Sequence, residues 1–273
     1  MPPYERLSLL ISLVLLGLVL VPLVELPLAT LTWVVLGSPL GVTLSGSSLM
    51  LGLLVALTCA GVDGIVRTHP NIEAARARYT FTFCLLPAPV TLAGAALLPR
   101  LFPHRLLWLG GLAVVGLFLA LVIVGEHLTL DPEDPRSRWA RLGLNLMTYA
   151  AALVLYAVIY ATRTRSLLSA TGVLLASIPL ALELLRGTAG QMGRPGLYAL
   201  VIGLIMGEAT WALNYWGIGA LAGGALLLLT FYLATGLAQQ HLLGRLTRRV
   251  LLEFALTALI GLGLILGLAP WLR

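Results

Sequence analysis

Lysine is absent from this chain, and all seventeen of its basic residues are arginine. Charge of either sign is scarce: 10% of the 273 residues carry it, against about 25% in a typical soluble domain. That shortfall excludes an ordinary water-soluble globular fold. No hydrophilic stretch is long enough for a separate domain, so residues 1–273 read as a single transmembrane domain. Cysteine occurs only as Cys59 and Cys84, both in apolar segments and without C-x-x-C spacing. A disulfide or metal role is not expected of the pair, which reads as small hydrophobes packed in apolar segments. None of the four histidines sits at H-x-x-x-H or H-E-x-x-H spacing, so neither a metal nor any cofactor is expected. The formal charge of +6 is dispersed along the chain. It argues against a nucleic-acid partner and for anionic lipid headgroups.

What is present is hydrophobic residue, at 59%, with a mean hydropathy of +1.00. A bilayer core of about 30 Å needs roughly 20 apolar residues per helix. Nine segments qualify: 7–24, 47–66, 79–98, 105–125, 142–161, 167–185, 196–215, 218–237 and 250–268. The expected fold is therefore all-α, a polytopic helical bundle of about nine transmembrane helices. The opening "MPPYERLSLLISLVLLGLVLVPLVELPLAT" has an apolar run too long for a signal peptide and no clear cleavage site, so it reads as a retained first helix. No internal repeat is evident.

Arginines in the connections set an orientation. With the N-terminus inside, the inner connections hold Arg6, Arg67, Arg76, Arg78, Arg136, Arg138, Arg141, Arg186, Arg194, Arg245, Arg248 and Arg249. The outer ones hold Arg100, Arg105, Arg163, Arg165 and Arg273. Positive charge favours the cytoplasm, so the reading is N-terminus cytoplasmic and C-terminus outside. Two connections look structured. "HPNIEAARARY" offers Asn71 as an N-cap and arginines in the last turn, the signature of a short surface helix. "ELPLATLTWVVLGSPLGVTLSGS" is apolar yet broken by Pro27, Pro39 and glycines, which fits an interfacial or re-entrant segment over 26–46. Pro87, Pro89 and Pro179 fall inside expected spans and should kink them.

An ionisable group in hydrocarbon costs at least about 2.5–3.5 kcal/mol and requires a partner, water or neutralisation. Asp63 has Arg67 at i+4, Glu183 has Arg186 at i+3, and Glu253 has Arg249 at i−4. These three read as structural ion pairs. Glu208 has no arginine three or four residues away, and it falls about 4 Å past the middle of its expected span. Tyr215 shares its helical face, Trp211 flanks it, and Asn214 lies further round. A donor stripe, Asn145, Tyr149 and Tyr156, runs along the fifth span, with Tyr156 near the depth of Glu208. Two readings stay open: an interhelical clamp between phenol and carboxylate, or a cavity in which the acid binds a cation, proton or polar substrate.

"GEHLTLDPEDPRSRWAR" gathers Glu126, His127, Asp131, Glu133 and Asp134, but without the D-D-x-x-D spacing of prenyl-diphosphate enzymes. Asp134 and Pro135 read instead as N-cap and first residue of a helix. His69, His127 and His241 read as separate surface histidines. "TLSGSS" has no placed histidine for a serine hydrolase. Gly219-x-x-x-Gly223 and Gly263-x-x-x-Gly267 permit close helix approach, within the chain or between copies.

The passages "GEHLTLDPEDPRSRWARLGLNLMTYAAALVLYAVIY" and "GEATWALNYW…FYLATGLAQQHL" resemble an uncharacterised family of bacterial multi-pass membrane proteins, a domain of unknown function. The resemblance spans roughly the C-terminal half. It implies a bacterial inner-membrane location and supplies no activity or ligand. Three functions remain in play: a transporter-like binder with a polar intramembrane site around Glu208, a scaffold or accessory subunit with a homo-oligomeric or membrane-subunit partner, and an enzyme on a lipid-linked substrate. The catalytic reading is the least supported of the three. The orientation is directly testable: alkaline phosphatase fused to the C-terminus should be active and a fluorescent-protein fusion dark, and the opposite pair of outcomes overturns it.

Overall fold

The computed structural model describes residues 4–24, 27–35, 38–68, 80–101, 104–131, 134–162, 166–186 and 193–268. Among these, nine helices are long and apolar enough, with their flanking turns, to cross a membrane. They are α1 (Tyr4–Leu20), α2 (Gly46–Val66), α3 (Pro87–Leu101), α4 (Arg105–Leu128), α5 (Pro135–Ala161), α6 (Ser166–Leu185), α7 (Gly193–Leu213), α8 (Ala220–Leu242) and α9 (Arg248–Leu268). Every expected span corresponds to one of them. The short surface helix expected over 69–79 lies outside the described residues.

The departure from an all-α chain is a two-stranded antiparallel hairpin, β1 (Pro27–Val35) with β2 (Ser38–Ser45). Its register pairs Leu31 with Val42 and Trp33 with Leu40. The threonines, valines and tryptophan of "TLTWVV" suit a pleated strand better than a helix. The segment expected to be interfacial or re-entrant over 26–46 thus takes strand form in its described residues. The hairpin ends in a helix start. Ser45 Oγ accepts the Ser48 amide at 3.2 Å while Ser48 Oγ accepts the Ser45 amide at 3.0 Å. This reciprocal capping satisfies two donors at the N-terminus of α2, and it is the use made of the "SGSS" serines.

Proline placement also differs from expectation. Pro87 and Pro89 lie in the first turn of α3, after a 3-10 stretch over Thr80–Cys84. A first-turn proline removes no helical hydrogen bond. Pro179 is interior to α6, as read, and Pro99 is interior to α3.

The chain divides into two compact units, Met1–Ala140 and Arg141–Arg273. In the first, α1 packs on α2 and α4, and α3 packs on α2 and α4. Leu10, Val14, Leu18, Leu54, Val62, Leu119, Val122 and Ile123 form its buried interior. Glycines admit large neighbours here: Gly61 faces Leu10, and Gly17 faces Leu54. Thr58 and Thr91 meet across α2 and α3 at 3.3 Å.

In the second unit the tightest pairing is α6 with α7. A β-carbon at Gly203 would sit 3.2 Å from the Leu174 carbonyl oxygen and 2.7 Å from Ile178 Cγ1. One at Gly207 would sit 3.4 Å from the Ala170 carbonyl oxygen. Gly203-x-x-x-Gly207 is thus a small-xxx-small motif in use, though the sequence reading had singled out two others. Of those, Gly219 caps α8 and Gly223 lies against the Tyr160 ring. Gly263 and Gly267 meet no atom within 4 Å, so packing within the described chain does not use them. They lie on α9, which buries no residue.

Close backbone approach makes a sharp prediction at Gly224, where a β-carbon would sit 2.8 Å from the Ala157 Cα and amide nitrogen. Gly224→Val should destabilise the purified protein by about 1–3 kcal/mol or more. Gly263→Val should change it little. Unfolding in detergent measures both, and equal losses would contradict this packing.

Candidate functional site

The polar residues of the second unit are distributed around α5, α6, α7 and α8. Tyr156 of α5 is fully buried, its hydroxyl 2.8 Å from Ser177 Oγ on α6 and its ring edge-on to Phe231 of α8. Tyr149 meets Thr235 of α8 at 3.3 Å. Tyr160 donates to the Leu213 and Trp216 carbonyls at 2.8 and 3.1 Å, closing the C-terminal end of α7. Asn214 donates from Nδ2 to Ser169 Oγ at 2.7 Å, tying that end to α6. Asn145 is half-buried, one turn before Tyr149. The tyrosine stripe therefore serves as a ladder that fastens α5 to three other helices.

Glu208 is not on that ladder. The buried face of α7 is Ala199, Ile202, Gly203, Met206, Gly207 and Thr210. Glu208 follows Met206 by two residues, roughly 200° round the helix at 3.6 residues per turn, and it is exposed. Its carboxyl and the Tyr156 phenol are not brought together. No hydrogen bond or ion pair joins Glu208 to another described residue. Instead it lines a groove of about 420 Å³ between α6 and α7, whose walls include Leu167, Thr171, Leu174, Leu204 and Trp211. The helix runs Gly193–Leu213 rather than 196–215. Glu208 is consequently five residues from its end, roughly 7.5 Å of rise, and further from the middle than expected. Trp211 is exposed beside it, and Tyr215 lies past the helix end, also exposed.

The three pairs read as structural all form, in different settings. Glu183 and Arg186 meet at 2.9 Å with side chains only 4% and 15% exposed. Asp63 and Arg67 meet at 2.8 Å in the first unit. Arg249 and Glu253 meet at 3.1 Å on the surface of α9, 89% and 63% exposed.

The first unit holds acids and thiols that sequence reasoning placed differently. Glu126 is completely buried and His127 is 3% exposed. The sequence pattern places both in a cytoplasmic connection and His127 at the surface. The correction follows from α4 running to Leu128. Leu119, Val122 and Ile123 are buried on one stripe, and the same period continues to 126 and 130. That extension was the available signal. Beyond it, Asp134 accepts the Arg136 amide at 2.8 Å, capping α5 as read. His241 is exposed, its ring 5.9 Å from that of Tyr198. His69 and Glu133 lie outside the described residues. Cys59 and Cys84, read as separate hydrophobes, are neighbours: the Cys84 thiol donates to the Cys59 carbonyl at 3.3 Å. Among the described residues no three histidine, cysteine or acidic side chains converge to hold a metal ion.

The family described as protein of unknown function (DUF5656) matches residues 26–268, from the hairpin to the end of α9. The chain belongs to DUF5656. The match extends well beyond the C-terminal half in which the resemblance was first visible. No curated protein and no solved structure matches this DUF5656 chain. It is a multi-pass membrane protein of unknown function in which Glu126 is buried and a buried Glu183 pairs with Arg186.

The two extremes of ion pairing make a paired prediction for DUF5656 stability. Arg186→Met removes the cation that meets a buried carboxylate and should cost roughly 3 kcal/mol or more. Arg249→Met breaks an exposed pair and should cost under about 1 kcal/mol. Detergent unfolding of the two variants side by side decides it, and comparable losses would refute the distinction.

Proposed function

We propose that this DUF5656 protein is a transporter-like ligand binder of the bacterial inner membrane, with its site in the α6–α7 groove around Glu208. The observation that carries the reading is a carboxyl on an outward groove of a membrane helix, with no partner among the described residues. A charged carboxylate facing acyl chains costs at least about 2.5–3.5 kcal/mol. Something entering the groove to meet the carboxyl offsets that cost. The groove walls are leucine, alanine, threonine and tryptophan, which suit an apolar body. Glu208 offers one polar anchor, and Trp211, one turn on, offers an aromatic face to a cation. The ligand class that satisfies all three is an amphiphile with an ammonium or other hydrogen-bond-donating head, entering laterally from the lipid.

A second reading, an accessory subunit, draws on α9. That helix buries nothing, and Gly263 and Gly267 face outward, as they would before a partner helix docks.

A hydrophobic carbodiimide adds covalently to a protonated carboxyl in an apolar site, and dicyclohexylcarbodiimide is the probe. In proteoliposomes it should label Glu208, and dodecyltrimethylammonium, a non-nucleophilic cationic amphiphile, added beforehand should protect. Glu208→Gln should remove the adduct while leaving the protein folded. Labelling indifferent to dodecyltrimethylammonium, or an unreactive Glu208, would overturn the binder reading. Protection that instead tracks a co-purified subunit in native mass spectrometry would favour the accessory role.

A further inference from the structure

Twenty-five positions separate Cys59 from Cys84, yet folding brings them together at the junction of α2 with the 3-10 stretch Thr80–Cys84. The Cys84 thiol donates to the Cys59 backbone carbonyl at 3.3 Å, which sets its sulfur directly against the other cysteine. Both are free, and both are half-buried rather than sealed. Their depth is shallow. Cys84 is the third residue of the span Thr82–Leu101. One turn beyond Cys59, Asp63 pairs with Arg67, whose side chain is 66% exposed. Reagents at the membrane surface therefore have a short path to this pair.

We propose that Cys59 and Cys84 form a dithiol site that closes to an intramolecular disulfide by exchange with a small disulfide. The inference is independent of the Glu208 reading. Closure requires the two sulfurs to reach an S–S length of roughly 2.03–2.05 Å, and with the Cys84 thiol already against the Cys59 backbone the movement needed is one of side chains. In the exchange, one cysteine thiolate attacks the reagent's sulfur, forming a mixed disulfide and expelling one thiolate. The second cysteine thiolate attacks the cysteine sulfur of that mixed disulfide and expels the other thiolate. The reagent disulfide is reduced to two thiols, the two cysteines are oxidised to one cystine, and the cysteine protons end on the leaving thiolates. The product links α2 to the start of the third span, and a dithiol reductant reverses it. A second cysteine beside the first is what drives the mixed disulfide onward; an isolated cysteine would stop there.

The probe is 4,4′-dipyridyl disulfide, applied to the full chain in membranes, followed by an alkylating quench and peptide mapping without reductant. The expected result is a linked Cys59–Cys84 peptide, two thiopyridone molecules released per chain, and full reversal by dithiothreitol. Cys59→Ser should leave Cys84 as a stable thiopyridyl adduct, and Cys84→Ser gives the mirror result should the first variant fail to accumulate. Separate adducts on both cysteines of the unaltered chain would overturn the proposal. So would links only between chains, or thiols that react in the denatured protein and not in the folded one.

Discussion

A carboxyl inside a hydrocarbon slab must be answered, and the way each acid is answered organises this protein. Glu183 is answered by its own helix, three residues on, with the pair almost wholly buried. Asp63 is answered by Arg67, which reaches outward past the helix end. Glu208 is placed on the one side of α7 that its neighbours do not cover. That third acid lines the groove between α6 and α7.

The same rule shapes the uncharged polar groups. Tyr149, Tyr156 and Tyr160 each direct a hydroxyl to a different helix or helix end. Threonines along the spans return their hydroxyls to the carbonyl one turn back, as Thr148, Thr210 and Thr235 do. Very little polarity is left facing inward in the second unit. Glycines then allow the helices to close on one another, with α7 meeting α6 through Gly203 and Gly207. Such contact depends on van der Waals packing, since lipid offers no hydrophobic drive between helices.

Nine spans were legible because helix length in a membrane follows from apolar run length alone. The α5 cap at Asp134 was legible because capping is local. Features set by tertiary contact were not. Hydropathy gives no direction around a helix, so Glu208 and Tyr156 shared a depth on paper while facing apart in space. The hairpin at 27–45 was hidden by composition that suits both strand and interface. Glu126 was assigned to a loop because its charge outweighed the buried period running through Leu119, Val122 and Ile123. The meeting of Cys59 with Cys84 depends on how the third span enters after a 3-10 stretch, which no spacing rule encodes.

Direction around α7 is what matters most: position 208 faces away from the packed side of the helix while position 206, two residues earlier, is buried in it. A nitroxide placed at each site, with Cys59 and Cys84 replaced by serine, reports this through collision with oxygen or with a water-soluble nickel chelate. The account predicts at 208 strong oxygen and weak nickel collision, and at 206 an immobilised label reached by neither. Strong nickel collision at 208, or a label there as shielded as at 206, would contradict it.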